Sequence, residues 1–119
     1  MAYDNNNVFA KILRGEIPTT KIYEDDYALA FPDLNPKAPV HVLVIPKGPY
    51  RNFPEFVNGA SDEEIAGFFK AVARVARLLG HEEEGYRILS NIGKNGGQEV
   101  PHLHVHLFAG AKLGAMIGK

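Results

Sequence analysis

The sequence predicts a single α+β domain built on a mainly antiparallel sheet, and three observations lead to this fold class. The chain has 119 residues, which is the usual length of one domain. Its 45% hydrophobic and 23% charged residues are typical of a globular protein and not of a disordered or coiled-coil one. Strand-like and helical stretches are grouped along the chain and do not alternate strictly, which favours α+β over a parallel α/β fold.

The N-terminal part predicts a short helix and then a pair of strands. Residues 1–7 are polar and are expected to form a flexible lead-in. Between Asn7, a residue type that caps helices, and Gly15, a residue type that ends them, apolar residues recur at helical spacing. The runs 21–24 and 27–31 are typical of strands, and Asp25-Asp26 between them predicts a hairpin turn.

The middle of the chain predicts a buried strand. Prolines interrupt residues 32–39, which we expect to form a loop. Residues 40–45 are β-branched and almost wholly apolar, and this composition is typical of a central strand that is buried on both faces. Residues 47–60 are expected to be irregular apart from one short helical turn near residues 54–57.

One long helix is predicted next. Ser61 and Glu64 have the spacing of a capping box. The apolar residues that follow recur every three or four positions up to Leu79, and Gly80 should end the helix.

The last third predicts two strands around a glycine-rich loop. Residues 86–91 and 103–108 are typical of strands, and the loop spans residues 92–101. Residues 110–119 form a tail that the pattern specifies poorly.

Charge and composition exclude several classes of function. Thirteen Lys+Arg against fourteen Asp+Glu give a net charge of −1, so nucleic acid and anionic membranes are not expected as partners. The chain has no cysteine, which excludes disulfides, thiolate zinc sites and cysteine nucleophiles. No apolar run approaches the roughly 20 residues of a membrane span, and the first residues lack the pattern of a signal peptide. We therefore expect a cytoplasmic protein.

Three histidines, His102, His104 and His106, alternate with apolar residues near the end of the chain. On a strand they would share one face, roughly 7 Å apart. Polar rings on a buried face are costly unless each has a partner. The pattern therefore indicates a functional site.

Two chemistries fit this pattern from the residues alone. Imidazole is a common ligand of transition metals, and it is also a nucleophile that can attack phosphorus. Neither H-E-x-x-H nor H-x-x-E-H spacing is present, whereas Gly93, Gly96 and Gly97 could present backbone N–H groups to a phosphate directly upstream. Asn95-Gly96 is equally compatible with a plain hairpin turn. Phosphorus chemistry without a metal is the favoured interpretation, and a metal hydrolase stays open.

The segment 101–108, PHLHVHLF, resembles the His-x-His-x-His-x-x signature of the histidine-triad (HIT) superfamily. The resemblance extends to residues 8–12, 24–26, 38–47 and 91–98, and so covers nearly the whole chain. The sequence is most similar to the Hint branch, the purine nucleoside phosphoramidases. This resemblance implies one HIT domain over residues 1–119, with a five-stranded antiparallel sheet and one long and one short helix. It also implies a homodimer, an adenosine- or guanosine-type nucleotide as substrate and no cofactor.

The resemblance further implies roles for particular residues. His104 would be the nucleophile and become transiently nucleotidylated, with His102 and His106 flanking it and contacting phosphate oxygens. His41 would support these histidines from the neighbouring strand, and Asp33 would bind the ribose hydroxyls. The purine slot would consist of Val8, Phe9, Ile12, Phe31 and Leu34, and the phosphate and leaving-group residues would be Asn91, Gly97, Gln98 and Glu99.

Alternatives remain for several of these positions. The pattern alone favours core positions over a binding role for Phe9, Ile12 and Phe31. His41 could equally be a satisfied buried histidine, and Asp33 would otherwise be a turn residue. Glu99 stands where some family members carry a hydroxyl residue, which suggests a cationic leaving group. The activity could instead be that of a dinucleoside polyphosphate hydrolase of the same superfamily, or the domain could be a nucleotide-binding regulatory module.

Overall fold

Four helices and five strands form the part of the chain that the structure describes. The computed structural model describes residues 2–117, so Met1 of the predicted lead-in and residues 118–119 of the predicted tail lie outside it. The elements in chain order are α1 (Val8–Leu13), β1 (Tyr23–Glu24), β2 (Ala28–Pro32), β3 (Val40–Pro46), α2 (Phe53–Gly59), α3 (Asp62–Leu78), β4 (Arg87–Leu89), α4 (Gly93–Gly96) and β5 (Val105–Ala109).

The strands within residues 2–117 form one antiparallel sheet in the order β1-β2-β3-β5-β4. β3 lies at its centre and is buried from His41 to Pro46, as its apolar composition predicts. The register pairs Leu43 with Phe31 on one side and with His106 on the other. The predicted α+β class and the five-stranded antiparallel sheet are confirmed.

Each face of the sheet is covered by a different helix. Successive residues of a strand point to opposite faces, so Val42 and Val44 pack with α3, whereas Leu43 and Ile45 pack with α1. Val105 and Leu107 of β5 belong to the α3 side. The histidines that alternate with them therefore lie on the α1 side, together with His41.

Both predicted helix caps are present. The side-chain oxygen of Asn7 accepts a hydrogen bond from the N–H of Ala10 at 2.9 Å. The N–H of Glu64 donates to Ser61 Oγ at 3.0 Å, while the N–H of Ser61 donates to Glu64 Oε1 at 3.3 Å. These bonds satisfy N–H groups that have no partner within the helix. No helix within residues 2–117 is long and apolar enough to span a bilayer.

Two predicted loops contain helices. Residues 53–59, expected to be irregular apart from one turn, form α2, in which Asn52 accepts from the N–H of Glu55 at 3.1 Å and Pro54 occupies the first turn. Proline is compatible with that place because a first-turn N–H has no helical partner. The glycine-rich loop contains the short helix α4, which ends at Gly97 with a left-handed φ of 77°.

The last strand begins two residues later than predicted. The N–H of Leu103 donates to the carbonyl of Tyr50 at 2.8 Å and so does not join the neighbouring strand. β5 starts at Val105. Of the three alternating histidines only His106 lies within the strand, and His102 and His104 lie in the segment that leads into it.

Candidate active site

The pairing of β3 with β5 brings His41, from the middle of the chain, next to the histidines near its end. His41 Nε2 lies 2.9 Å from His106 Nδ1. The ring centroids of His104 and His106 are 5.1 Å apart. His41 and His104 are buried, and His106 is half-buried. Three of the four predicted catalytic histidines thus form one cluster on the α1 side of the sheet.

The fourth, His102, turns into the protein and is 0% exposed. Its Nε2 lies 2.9 Å from the carbonyl oxygen of Pro46. A carbonyl can only accept, so Nε2 carries the proton. Nδ1 then accepts a hydrogen bond from the Tyr3 hydroxyl, 2.6 Å away. Burial lowers the pKa of His102 to about 4. Because both nitrogens are occupied, the expected contact between His102 and phosphate oxygens does not fit this geometry.

His104 is held in one tautomer by the backbone. Its Nδ1 lies 2.7 Å from the carbonyl oxygen of His102 and must donate a proton to it. Burial lowers the pKa of His104 below its ordinary value, so the ring is neutral at pH 7. Nε2 therefore carries the lone pair, and within residues 2–117 it has no hydrogen-bond partner. A neutral imidazole with a free lone pair is the reactive form of a histidine nucleophile.

The tautomers of His41 and His106 follow from a backbone donor. The N–H of Lys37 donates to His41 Nδ1 at 3.1 Å, so Nδ1 has no proton. Burial lowers the pKa of His41, and the neutral ring then carries its proton on Nε2, which donates to His106 Nδ1. Burial also lowers the pKa of His106 to about 4. The proton of His106 is therefore on Nε2, where it can serve as a hydrogen-bond donor.

One cluster among the described residues has the spacing of metal ligands. Ligand atoms of Asp33, His41 and His106 all lie within 4.8 Å of one another, with Asp33 Oδ2 at 3.5 Å from His41 Nε2. The two imidazoles are hydrogen-bonded to each other, so an ion could bind here only after His41 Nε2 lost its proton. In the observed arrangement these atoms serve as partners of one another.

A cavity of about 740 Å³ opens beside the histidine cluster. Its lining includes all six residues predicted for the purine and ribose: Val8, Phe9, Ile12, Phe31, Asp33 and Leu34. The ring of Phe9 also packs edge-on against His104, with centroids 5.0 Å apart. Phe9 therefore connects the cavity with the ring of His104.

The lining also includes residues that the sequence analysis did not identify: Ile17, Pro18, Thr19, Thr20, Pro32, Asn35, Leu43 and Val100. Leu43 could have been found, because it lies two residues after His41 and so shares its face of the strand. Thr19 and Thr20 lie between α1 and β1, where no periodicity signals their position.

The predicted phosphate and leaving-group residues do not line the nucleoside cavity. Gln98 and Glu99 line a second cavity of about 710 Å³, and neither cavity includes Asn91 or Gly97 in its lining. The Gln98 side chain accepts from the N–H of Gly93 at 3.1 Å and donates to the carbonyl of Arg51 at 2.6 Å. Its amide thus holds the glycine-rich loop in place and is not free for a phosphate.

Comparison with known proteins decides the family. The HIT domain profile matches residues 14–113. The chain belongs to the HIT family. A HIT-like protein of Azospirillum brasilense, itself uncharacterised, is 61% identical over 117 residues, which cover 98% of this chain and 96% of that protein. The purine nucleoside phosphoramidase of Escherichia coli is 38% identical over 110 residues, or 92% of each chain.

A solved HIT structure has the same fold over almost the whole chain. The HIT family hydrolase of Legionella pneumophila superposes with a TM-score of 0.87 and 40% sequence identity, covering 95% of this chain and all of that one. The predicted HIT family membership and fold are therefore confirmed.

Proposed function

We propose that this HIT protein hydrolyses purine nucleoside 5′-phosphoramidates to a nucleoside monophosphate and an amine through a nucleotidyl-His104 intermediate. The observation that carries the proposal is the fixed tautomer of His104, whose Nδ1–H is bound by the His102 carbonyl while Nε2 is free beside the cavity. The similarity to the phosphoramidase of Escherichia coli supports a P–N bond as the bond that is cleaved.

In the first step, the Nε2 lone pair of His104 attacks the α-phosphorus, and the bond between phosphorus and the amine nitrogen breaks. The departing nitrogen takes up a proton from solvent, and the Nε2–H of neutral His106, whose ring lies 5.1 Å from that of His104, is suited to donate a hydrogen bond to a phosphate oxygen. The His102 carbonyl, 2.7 Å from Nδ1, stabilises the positive charge that develops on the His104 ring.

In the second step, water attacks the phosphorus of the nucleotidyl-imidazole. The water releases a proton to solvent as the P–Nε2 bond breaks. The nucleoside monophosphate leaves, and His104 returns to its starting tautomer. His41 donates to His106 Nδ1 at 2.9 Å throughout and so keeps the proton of His106 on Nε2.

The nucleoside would bind in the apolar cavity. Phe9 and Ile12 come from α1 and Phe31 from β2, so a purine between them would bury its faces against rigid elements. Asp33 has its carboxylate at the same cavity and can accept hydrogen bonds from both ribose hydroxyls. Phe9 lines the cavity and also packs against His104. A nucleoside bound in the cavity would therefore lie close to His104, and its 5′ position would have to point towards this nucleophile.

The test is turnover of adenosine 5′-phosphoramidate by the wild-type protein and His104→Ala. The variant should still bind adenosine monophosphate in calorimetry but lose turnover by at least roughly a thousandfold, because the nucleophile is absent. Mass spectrometry of wild-type protein quenched in alkaline denaturant, which preserves a P–N bond, should show an adduct of one nucleoside monophosphate that His104→Ala lacks. His81→Ala, which changes a histidine outside the site, is the matched control. Turnover by His104→Ala near the wild-type rate would exclude the proposal.

Glu99 is proposed to favour leaving groups that carry positive charge. It lines the second cavity together with Asp4, Lys94 and Arg51. The Arg51 guanidinium is already paired with Glu55, its Nε lying 2.6 Å from a carboxylate oxygen. Among the described side chains that line this cavity, two carboxylates therefore face one cation without an ion-pair partner.

Substitution of Glu99 tests this preference. Glu99→Gln should reduce the kcat/KM ratio between a phosphoramidate with a second ammonium group and one with a neutral amine by about two- to fivefold, the range expected for an exposed ion pair. The rate with the neutral amine serves as the control. An unchanged ratio would show that Glu99 does not select the leaving group.

We also propose that two copies of the chain pair through β4. This strand lies at the edge of the sheet, and Tyr86 and Ile88 on or beside it are exposed. Edge-to-edge pairing would satisfy the free backbone groups and cover Ile88. Sedimentation velocity should show a dimer for the wild type and a monomer for Ile88→Lys, and a wild-type monomer at micromolar concentrations would contradict the pairing.

A further inference from the structure

The N-terminal segment contacts His102, the buried histidine next to the histidine cluster, through the side chain of Tyr3. Tyr3 is 99 residues from His102 in sequence, yet its hydroxyl lies 2.6 Å from His102 Nδ1. We infer that Tyr3 is a positioning residue, which holds the nucleophile His104 in its reactive tautomer by fixing the ring and the carbonyl group of His102. The inference rests on the proposed function, in which His104 is the nucleophile.

Hydrogen bonds to α1 bring Tyr3 to this place. Asn7, the buried cap of α1, donates from its side-chain amide to the carbonyl of Asp4 at 2.8 Å. The Arg14 guanidinium donates to the carbonyl of Asn5 at 2.7 Å. The residues directly after Tyr3 are therefore attached to a helix that itself lines the nucleoside cavity.

The geometry leaves His102 one satisfied arrangement. Its ring is 0% exposed, and Nε2 donates to the Pro46 carbonyl. Nδ1 must then accept, and within residues 2–117 the Tyr3 hydroxyl is its hydrogen-bond donor. The tyrosine ring also packs edge-on against the imidazole, with centroids 5.7 Å apart. Tyr3 thus fixes the orientation of a ring whose tautomer the Pro46 carbonyl selects, and it satisfies the accepting Nδ1 of that tautomer. This ring does not line the substrate cavity.

Loss of the hydroxyl would reach His104 through one peptide group. Without it, the buried Nδ1 of His102 would lack a partner. Moving the proton to Nδ1 would place the Nε2 lone pair against the Pro46 oxygen, and rotating the ring would break the same bond. Either change displaces the His102 backbone, whose carbonyl oxygen holds His104 Nδ1 at 2.7 Å. His104 would then spend part of its time with the proton on Nε2 and could not attack.

The kinetic test compares Tyr3→Phe with Tyr23→Phe. Tyr3→Phe keeps the ring and removes the hydroxyl, and we expect kcat to fall about tenfold, the factor that corresponds to one net hydrogen bond. KM should change by less than about twofold, since Tyr3 is not part of the nucleoside cavity. Tyr23→Phe is the matched control, because it removes a hydroxyl bound to Asp25 at 2.8 Å on β1. Thermal stability is measured for both variants.

A spectroscopic test does not depend on turnover. Long-range ¹H–¹⁵N spectra distinguish a protonated ring nitrogen from one with a lone pair. The wild type should show His102 protonated at Nε2 and His104 at Nδ1, and Tyr3→Phe should show a mixture of tautomers at both rings while Tyr23→Phe keeps the wild-type pattern. Unchanged His104 tautomers in Tyr3→Phe would overturn the inference, as would a kcat within about twofold of the wild type. If the wild type cleaves no phosphoramidate, the proposed function fails, and these spectra alone decide the role of Tyr3.

Discussion

Burial of His102 makes the stability of this protein depend on pH, and the dependence can be isolated with one variant. The pKa of His102 is lowered to about 4 in the folded protein, against an ordinary value of 6.5, mainly because the ring is buried. Between these values the unfolded chain binds a proton that the folded chain does not. The free energy of unfolding should therefore be highest above pH 6.5 and fall as the pH is lowered towards 4.

The magnitude follows from the two pKa values. At pH 5 the unfolded His102 is almost fully protonated and the folded one is mostly neutral, so going from pH 7 to pH 5 should cost about 2 kcal/mol from this residue. For a domain of this length, that corresponds to a fall in Tm of about 8 °C. Burial acts on His41, His104 and His106 in the same direction. Their contributions add to the loss.

His102→Gln isolates the contribution of His102. Glutamine has no pKa in this range, and its amide offers both a donor for the Pro46 carbonyl and an acceptor for the Tyr3 hydroxyl. Urea unfolding at pH 7, 6 and 5 should show that the wild type loses about 2 kcal/mol more than the variant over this range. The other histidines are common to both proteins and cancel in this difference. Equal losses in the two proteins would refute the assignment of a buried, neutral His102.

Two further substitutions test the cavity and the packing of α3. Leu34 lines the cavity and is 93% exposed, so a bound nucleoside should cover its side chain. Leu34→Ala should therefore raise KM about fivefold, which corresponds to about 1 kcal/mol of binding free energy, and leave kcat unchanged. An unchanged KM in steady-state kinetics would show that Leu34 does not contact the nucleoside. A Cβ on Gly67 would lie 2.3 Å from the Tyr27 ring, so Gly67→Ala should lower the free energy of unfolding in urea by about 1 kcal/mol or more, although alanine favours helices. In a Tyr27→Ala background the same change should be stabilising, and stabilisation in the wild-type background would contradict the contact.

Features that depend on neighbouring residues could be predicted from the sequence. The capping box of Ser61 and Glu64 involves residues three apart, and its bonds form wherever the helix begins. The burial of β3 follows from its composition, since an apolar β-branched run is stable only where both faces are covered. The residues predicted for the purine slot were identified through the family resemblance, because periodicity alone indicates only that Phe9 and Phe31 are core residues.

Features that depend on distant backbone atoms could not be predicted. Strand alternation predicts that the three histidines share one face, but the hydrogen bond from the Leu103 N–H to Tyr50 takes residues 102–104 out of the paired strand. There, His102 donates to the carbonyl of Pro46, a group present in every residue type. Tyr3 stands in a polar segment whose composition indicates only a lead-in, and its contact depends on how α1 lies against the sheet.

Backbone groups assign the ring protons of His102, His104 and His41. The Pro46 carbonyl holds the proton of His102 on Nε2, and the His102 carbonyl holds the proton of His104 on Nδ1. The Lys37 N–H leaves the proton of His41 on Nε2. Because that proton is donated to His106 Nδ1, the proton of His106 is on Nε2. Substitution of the Lys37 side chain should therefore leave this arrangement intact, whereas a shift of the loop that carries its N–H would release His41. The reactive state of His104 is thus a property of where the chain places its peptide groups, which is why three histidines in a row can suggest the chemistry but cannot specify which nitrogen performs it.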